Sequence, residues 1–183
     1  MIPDKLTLRA RIRAERDRFT SVGGSAIVSP PEFVARLKPG SIVSSYIPVG
    51  SEADPAQLAF AAVELGCRIA LPHVSDRSGP MRFLLWQPGD PLVPGPLGLS
   101  QPGGQEEVTP DTILTPLIAY DARLNRLGQG AAFYDRAFAR FPDAWRVGVA
   151  WSVQQVPAVP TDIWDVPLHA VITEKGMTWH QGA

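Results

Sequence analysis

Apolar residues at helical spacing predict four helices. Leu8, Ile12 and Phe19 share one face of a segment that Asp4 can cap at its amino end, which predicts a helix over 4–19. The other three are apolar segments bounded by proline or glycine, residues that commonly begin and end helices. They are predicted over 30–37, 55–65 and 131–141.

Short apolar and β-branched runs between these helices predict strands. Two strands joined by a helix form a βαβ unit, in which the strands are parallel. The chain contains two such units, so we expect an α/β fold: a single three-layer domain over 1–183, with a mostly parallel central sheet and helices on both faces. The predicted strands cover 42–47, 68–72, 82–86, 112–119, 146–151 and 170–173.

Composition narrows the class of protein. The 183 residues carry 17 basic and 18 acidic side chains, so bulk charge favours neither nucleic acid nor an anionic membrane. The single cysteine, Cys67, excludes an internal disulfide. No apolar run reaches the roughly 18 residues of a membrane span, and the amino end lacks the apolar core of a secretory signal. We expect a cytoplasmic protein, as a monomer or weak homodimer.

Residues 87–111 predict a long loop, because they contain six prolines and five glycines. A loop of this length inside a compact domain is usually functional or mobile.

The segment most suggestive of chemistry, 126–136, joins a predicted strand to a predicted helix and reads Arg-Leu-Gly-Gln-Gly-Ala-Ala-Phe-Tyr-Asp-Arg. Its glycines allow the backbone to approach a ligand closely, and amides at the start of a helix favour a phosphate. Arg126 can add charge-assisted hydrogen bonds, and Asp135 can hold Mg²⁺. The pattern is neither a P-loop nor a dinucleotide fingerprint. An ordinary tight turn with surface arginines is an equally good interpretation of the pattern alone.

Basic residues form a stripe on the first predicted helix: Lys5, Arg9, Arg13 and Arg16. Such stripes are usually solvated faces, and we adopt that interpretation for Arg13 and Arg16. Lys5 and Arg9 belong to a site only if the helix packs near 126–136.

Two further carboxylates lie in predicted loops. Glu52 follows the first strand, at the end where ligands bind in α/β sheets. Asp165 is either a second metal ligand or a turn residue, and its separation from Asp135 is not by itself a metal motif.

Segment 126–136 resembles the 5-formyltetrahydrofolate cyclo-ligase family, also called methenyltetrahydrofolate synthetase. Other landmarks of that family follow in the expected order over nearly the whole chain. They include Lys5-Leu-Thr-Leu-Arg9, Pro48-Val-Gly-Ser-Glu52-Ala-Asp54 and Asp165-Val-Pro-Leu.

The resemblance implies that ATP and Mg²⁺ drive cyclisation of 5-formyltetrahydrofolate to 5,10-methenyltetrahydrofolate. It implies that Arg126 and Tyr134 are catalytic and that Asp135 and Asp165 contact Mg²⁺. Glu52, Ile47 and Phe133 would bind the folate. The implied ATP-binding residues are Lys5, Arg9, Arg126, Leu127, Gly128, Gln129, Gly130, Ala131, Ala132, Phe133 and Tyr134.

The chain departs from the family pattern within this segment. Ala131 and Ala132 stand where the family usually has glycine or lysine and then glycine, and Gln129 replaces an aromatic residue or arginine. Alanine costs about 1 kcal/mol where the backbone needs a positive φ. Two alternatives to an active enzyme follow: a catalytically weak or inactive relative that binds folate or nucleotide, and an unrelated α/β phosphate-binding domain.

Overall fold

The computed structural model describes residues 4–23 and 26–180 and contains four α-helices within them. None of these helices is both long and apolar enough to cross a membrane. Each lies close to its predicted position: α1 (Lys5–Ser21), α2 (Pro31–Arg36), α3 (Ala56–Glu64) and α4 (Phe133–Arg140). The strands are β1 (Ile42–Ser44), β2 (Arg68–His73), β3 (Arg82–Leu85), β4 (Leu92–Pro94), β5 (Ser100–Pro102), β6 (Thr112–Pro116), β7 (Ala119–Tyr120), β8 (Arg126–Leu127), β9 (Trp145–Val149), β10 (Ala170–Thr173) and β11 (Gly176–Trp179).

Seven strands form the central sheet, in the order β11-β10-β9-β6-β1-β2-β3. The strands from β10 to β2 pair in parallel, while β11 and β3 add antiparallel edges. In the middle of the sheet, Val43 of β1 lies between Ile69 of β2 and Thr112 of β6. The predicted mostly parallel sheet is therefore confirmed.

Helices cover both faces of the sheet, which confirms the predicted three layers. Phe33 of α2 and Leu58 of α3 pack in one buried cluster with Leu114. Phe138 of α4 packs in the other cluster with Ile113. Neighbouring residues of β6 thus face opposite helical layers, because side chains alternate along a strand that is buried on both sides.

Helix α1 packs beside the sheet rather than on it. Leu8 and Ile12 are buried against Leu127 of β8, Ile118 and Val156. The Asp4 carboxylate accepts hydrogen bonds from the amides of residues 6 and 7, as the predicted cap requires. This packing brings the basic stripe of α1 next to segment 126–136.

Several predicted boundaries were wrong. The strand predicted over 42–47 ends at Ser44. The loop 87–111 contains a hairpin, β4–β5, closed by a short 3-10 turn at Pro96–Gly98. The strand predicted over 112–119 ends at Pro116, and the chain then forms β7, which pairs antiparallel with β8. Helix α4 begins at Phe133 instead of residue 131, because Ala132 has a left-handed backbone (φ +55°) that cannot continue a right-handed helix.

Candidate active site

The residues predicted to form the site line a single cavity of about 700 Å³. It lies beyond the carboxyl ends of β1, β2 and β6, where ligands bind in α/β sheets, and α1 forms one wall. The predicted residues that line it are Lys5, Arg9, Ile47, Glu52, Arg126, Leu127, Gly128, Gln129, Gly130, Ala131, Ala132, Phe133, Tyr134, Asp135 and Asp165.

The first two basic residues of α1 reach two different loops. The Lys5 ammonium donates to Asp162 at 2.6 Å and to Asp165 at 2.8 Å. One turn further along, Arg9 Nε donates to the Gly128 carbonyl at 2.8 Å. Helix α1 therefore packs against segment 126–136, which is the condition under which Lys5 and Arg9 belong to the site.

The interpretation of Arg16 as a solvated side chain was wrong. Arg16 is only 6% exposed, and its Nε donates to the Ser51 hydroxyl at 2.9 Å. Burial lowers the pKa of its guanidinium, and the Glu52 carboxylate opposes that shift. Arg13 is exposed, as predicted, but its guanidinium donates to the Gln129 side-chain oxygen at 2.6 Å. The whole stripe therefore faces the cavity.

The backbone of segment 128–132 is shaped by special conformations. Gly130 has φ +110°, and a Cβ at Gly128 would lie 2.8 Å from the Arg126 guanidinium. Glycine therefore suits Gly130 for its φ, and at Gly128 any larger residue would displace the Arg126 guanidinium. Ala132 adopts φ +55° without being glycine, whereas Ala131 lies outside the left-handed region.

Arg126 is fixed beneath this segment by β8 and α4. Its Nη2 donates to Asp135 at 2.6 Å, and its guanidinium lies 5.8 Å from the Tyr134 ring centre and 5.4 Å from that of Phe138. Burial raises the pKa of the Tyr134 hydroxyl far above its usual value, so the phenol stays neutral. The arrangement presents a fixed positive charge and a neutral hydroxyl at the cavity wall.

Glu52 lies in the loop after β1 and lines the cavity. Its carboxylate accepts from the Val49 amide at 3.0 Å and from the Gln129 side-chain amide at 2.9 Å. Ile47 of the same loop and Phe133 add apolar surface to the cavity. A carboxylate beside apolar walls suits a heterocycle with N–H donors.

The donor set fits Mg²⁺, although both candidate ligands are paired with cations. Asp135 contacts Arg126, and Asp165 contacts Lys5. No cluster of three acidic, histidine or cysteine side chains occurs within 4–23 and 26–180. Mg²⁺ commonly uses only one or two protein carboxylates and completes its coordination with water and phosphate oxygens, so Asp135 and Asp165 are the residues that could hold it beside a bound phosphate.

Several cavity residues were missed from the sequence. Asp162 lies three residues before Asp165, and this spacing was the only signal for it. Leu97 and Leu99 come from the proline-rich segment 87–111, whose length had indicated a functional loop. Trp164 and Arg77 also line the cavity, and no sequence pattern marked either of them.

Comparison with known proteins gives a consistent picture. A sequence model of the 5-formyltetrahydrofolate cyclo-ligase family matches residues 2–174. The 5-formyltetrahydrofolate cyclo-ligase of Escherichia coli K12 is 33% identical over 139 residues, which cover 72% of this chain and 76% of that protein. The enzyme of the same name from Haemophilus influenzae is 37% identical over 97 residues, and this match spans about half of that relative (52%) and 49% of this chain.

The fold is also similar to that of a solved structure. The solution structure of Aquifex aeolicus 5,10-methenyltetrahydrofolate synthetase superimposes with a TM-score of 0.73 at 26% identity, covering 98% of this chain and 94% of that one. Sequence and fold thus agree over nearly the full length of the chain, which belongs to the 5-formyltetrahydrofolate cyclo-ligase family.

Proposed function

We propose that the protein catalyses the ATP-dependent cyclisation of 5-formyltetrahydrofolate to 5,10-methenyltetrahydrofolate, with release of ADP and phosphate. The observation that carries the proposal is the meeting of three elements in one cavity: the basic stripe of α1, segment 126–135 and the Glu52 loop. Membership of the family indicates the reaction, and the cavity contains residues that suit both substrates.

The chemistry explains the need for ATP. The oxygen of an N-formyl group is amide-like and a poor leaving group. Transfer of the γ-phosphoryl group to this oxygen releases ADP and gives an imino phosphate. N10 then attacks the formyl carbon and loses its proton, the new C–N bond closes the ring, and the C–O bond breaks as phosphate leaves. The protein has mainly to position the reactants and neutralise charge.

The phosphate side of the cavity is assigned to α1 and segment 126–134. Lys5 and Arg9 would contact the ATP phosphates, and Arg126 would neutralise charge that develops on the transferred group. The backbone from Leu127 to Tyr134 would surround the phosphates. Mg²⁺, held by Asp135 and Asp165, would neutralise further phosphate charge when bound.

The folate side is assigned to the loop after β1. Glu52 has lone pairs that can accept N–H donors of the reduced pterin, and Ile47 and Phe133 would pack against the ring. The half-buried, neutral Tyr134 hydroxyl can donate a hydrogen bond near the reacting groups.

The test is the near-UV absorbance of the methenyl product, with purified protein, 5-formyltetrahydrofolate, ATP and Mg²⁺. We expect a rise that requires both ATP and metal. No rise, with folate binding still detectable by calorimetry, would instead favour the non-catalytic relative. A protein that neither reacts with 5-formyltetrahydrofolate nor is protected by it in a melting assay would be an unrelated phosphate-binding domain.

A matched pair of variants links turnover to the cavity. Arg9 faces Gly128, whereas Arg11 is half exposed on another side of α1 and lies 3.8 Å from Glu15. We expect Arg9→Ala to lower kcat/KM at least about tenfold and Arg11→Ala to leave it unchanged. Equal effects of the two substitutions would contradict the assignment of the stripe to the phosphates.

A further inference from the structure

A chain of polar side chains crosses the cavity from α1 to the Glu52 loop. Arg13 Nη2 donates to Gln129 Oε1 at 2.6 Å, and Gln129 Nε2 donates to Glu52 Oε1 at 2.9 Å. The other Glu52 oxygen accepts from the Val49 amide at 3.0 Å. Gln129 is thus the link between the helix and the carboxylate assigned to folate.

The orientation of the Gln129 amide follows from donor and acceptor chemistry. A guanidinium can only donate, and a carboxylate can only accept. The amide oxygen of Gln129 must therefore face Arg13, and its NH₂ group must face Glu52. The reverse orientation would set donor against donor and acceptor against acceptor, so Arg13 selects the orientation that holds Glu52.

Gln129 also belongs to the segment assigned to the nucleotide. The preceding residue, Gly128, is held by Arg9 through its carbonyl, and the next residue, Gly130, has φ +110°. A ligand that contacts the backbone here acts directly on the residue that contacts Glu52. The two halves of the cavity are connected through one side chain.

We propose that Gln129 is a positioning residue that couples the two substrate subsites. Oriented by Arg13, it holds the Glu52 carboxylate in the geometry that receives the folate, and nucleotide binding to segment 128–134 strengthens folate binding through it. The contact leaves lone pairs free on both Glu52 oxygens for the ligand, since a carboxylate offers about four acceptor positions. This inference rests on the proposed function.

The direct test is folate affinity with and without a non-hydrolysable ATP analogue plus Mg²⁺, measured by calorimetry on the full chain. In the unmodified protein we expect the analogue to tighten binding of 5-formyltetrahydrofolate. In Gln129→Ala we expect folate binding to weaken about fivefold and the effect of the analogue to disappear. An unchanged folate affinity, or a retained effect of the analogue, would overturn the proposal.

A double substitution tests whether Arg13 acts through Gln129. Arg13→Ala should weaken folate binding, and Arg13→Ala combined with Gln129→Ala should be no worse than Gln129→Ala alone. Additive losses would show that the two residues act separately and would contradict the relay. Arg13→Lys, which keeps a donor, should restore part of the affinity, and Arg11→Ala serves as the unaffected control.

Steady-state kinetics separate positioning from a general structural role. Gln129→Ala should raise KM for 5-formyltetrahydrofolate much more than it lowers kcat, with an unchanged melting temperature. Equal loss in both parameters together with a lower melting temperature would refute positioning. If the unmodified protein shows no turnover at all, the proposed function fails, while the calorimetric test of Gln129 still decides the coupling.

Discussion

The cavity contains two cation–carboxylate pairs that differ in burial and in freedom to move. Arg126 and Asp135 lie 2.6 Å apart with side chains that are 4% and 20% exposed, and aromatic rings flank the guanidinium. Lys5 is 27% exposed and lies between Asp165, at 2.8 Å, and Asp162, at 2.6 Å. Each pair contains one of the carboxylates proposed to contact Mg²⁺.

The difference indicates that the two cations, Arg126 and Lys5, have different roles within one site. The planar Arg126 guanidinium is itself buried and is held by Asp135, so it presents a fixed charge that needs no reorganisation. The Lys5 ammonium ends a flexible stem and can move from carboxylate to phosphate. Burial lowers the pKa of Lys5, but the two carboxylates outweigh it and raise the pKa, so the ammonium stays charged. We infer that the site has a rigid centre, formed by Arg126 and Asp135, and an adjustable rim, formed by Lys5 with Asp162 and Asp165.

The largest expected effect comes from breaking the buried pair. Arg126→Ala removes a guanidinium whose side chain is only 4% exposed and lies against two aromatic rings, so we expect the free energy of unfolding to fall by about 3 kcal/mol. Turnover should fall at least about a hundredfold, because a fixed positive charge is lost. Urea unfolding and the absorbance assay measure the two effects. A loss of stability below that caused by Lys5→Ala would contradict the contrast between the pairs.

Breaking the contact of the more accessible cation, Lys5, should separate activity from stability. Lys5→Ala removes a cation from the rim, so we expect turnover to fall about a hundredfold. The free energy of unfolding should change by less than about 1 kcal/mol, since Lys5 is partly exposed and Asp165 keeps the Asp162 amide as a donor at 2.8 Å. Lys38→Ala, at an exposed position outside the cavity, is the matched control. A large loss of stability in Lys5→Ala would make the rim pair a structural element instead.

The meeting of these residues was predictable, but their surroundings were not. Glu52 and Arg126 both lie near the ends of predicted strands, and the ends of parallel strands converge, so one cavity could be expected. The burial of Arg16 depends on α1 packing beside β7 and β8. That hairpin is formed by two strands of only two residues each, Ala119–Tyr120 and Arg126–Leu127, which are too short to produce a hydrophobic periodicity.

Two other features of the structure could not be predicted from the sequence, each for a local reason. The hairpin β4–β5 includes Pro94 and Pro102, and proline normally argues against a paired strand, so the segment suggested only a loop. The ion pairs of Asp135 and Asp165 could not be predicted either, because an isolated carboxylate in a sequence does not show which cation folds against it. The roles of the site residues in catalysis are still predictions.

Acid should weaken the packing around His169, which follows the Asp165 segment. His169 lies four residues after Asp165, and its ring contacts the Arg146 backbone and guanidinium, which in turn donates to the Pro167 carbonyl at 3.0 Å. Burial and then the Arg146 charge lower the pKa of His169 to about 4. The folded state therefore favours the neutral ring. The contribution of His169 to the free energy of unfolding is present above its unfolded pKa of about 6.5, and it is lost as the pH falls towards 4.

Urea unfolding at pH 7 and pH 5 measures this loss. We expect the unmodified protein to be less stable at pH 5, and His169→Gln to remove most of that pH dependence because glutamine does not titrate. The matched control is His73→Gln. Burial also lowers the pKa of His73, but His73 lies on β2, away from the Asp165 segment. The same pH dependence in His169→Gln as in the unmodified chain would assign the effect to other groups.

The smallest expected effect concerns the backbone that joins Arg126 to Asp135. Ala132 has φ +55°, a conformation that costs alanine about 1 kcal/mol more than glycine. Ala132→Gly should therefore raise stability by up to about 1 kcal/mol, or roughly 3 °C in Tm for a chain of this size. Ala131→Gly is the control: its backbone lies outside the left-handed region, so glycine there adds only flexibility and should not stabilise. If Ala132→Gly also raises kcat, the strain limits the rigid centre; if only Tm rises, the fixed Arg126–Asp135 pair already holds the segment in its working geometry, and the alanine costs stability alone.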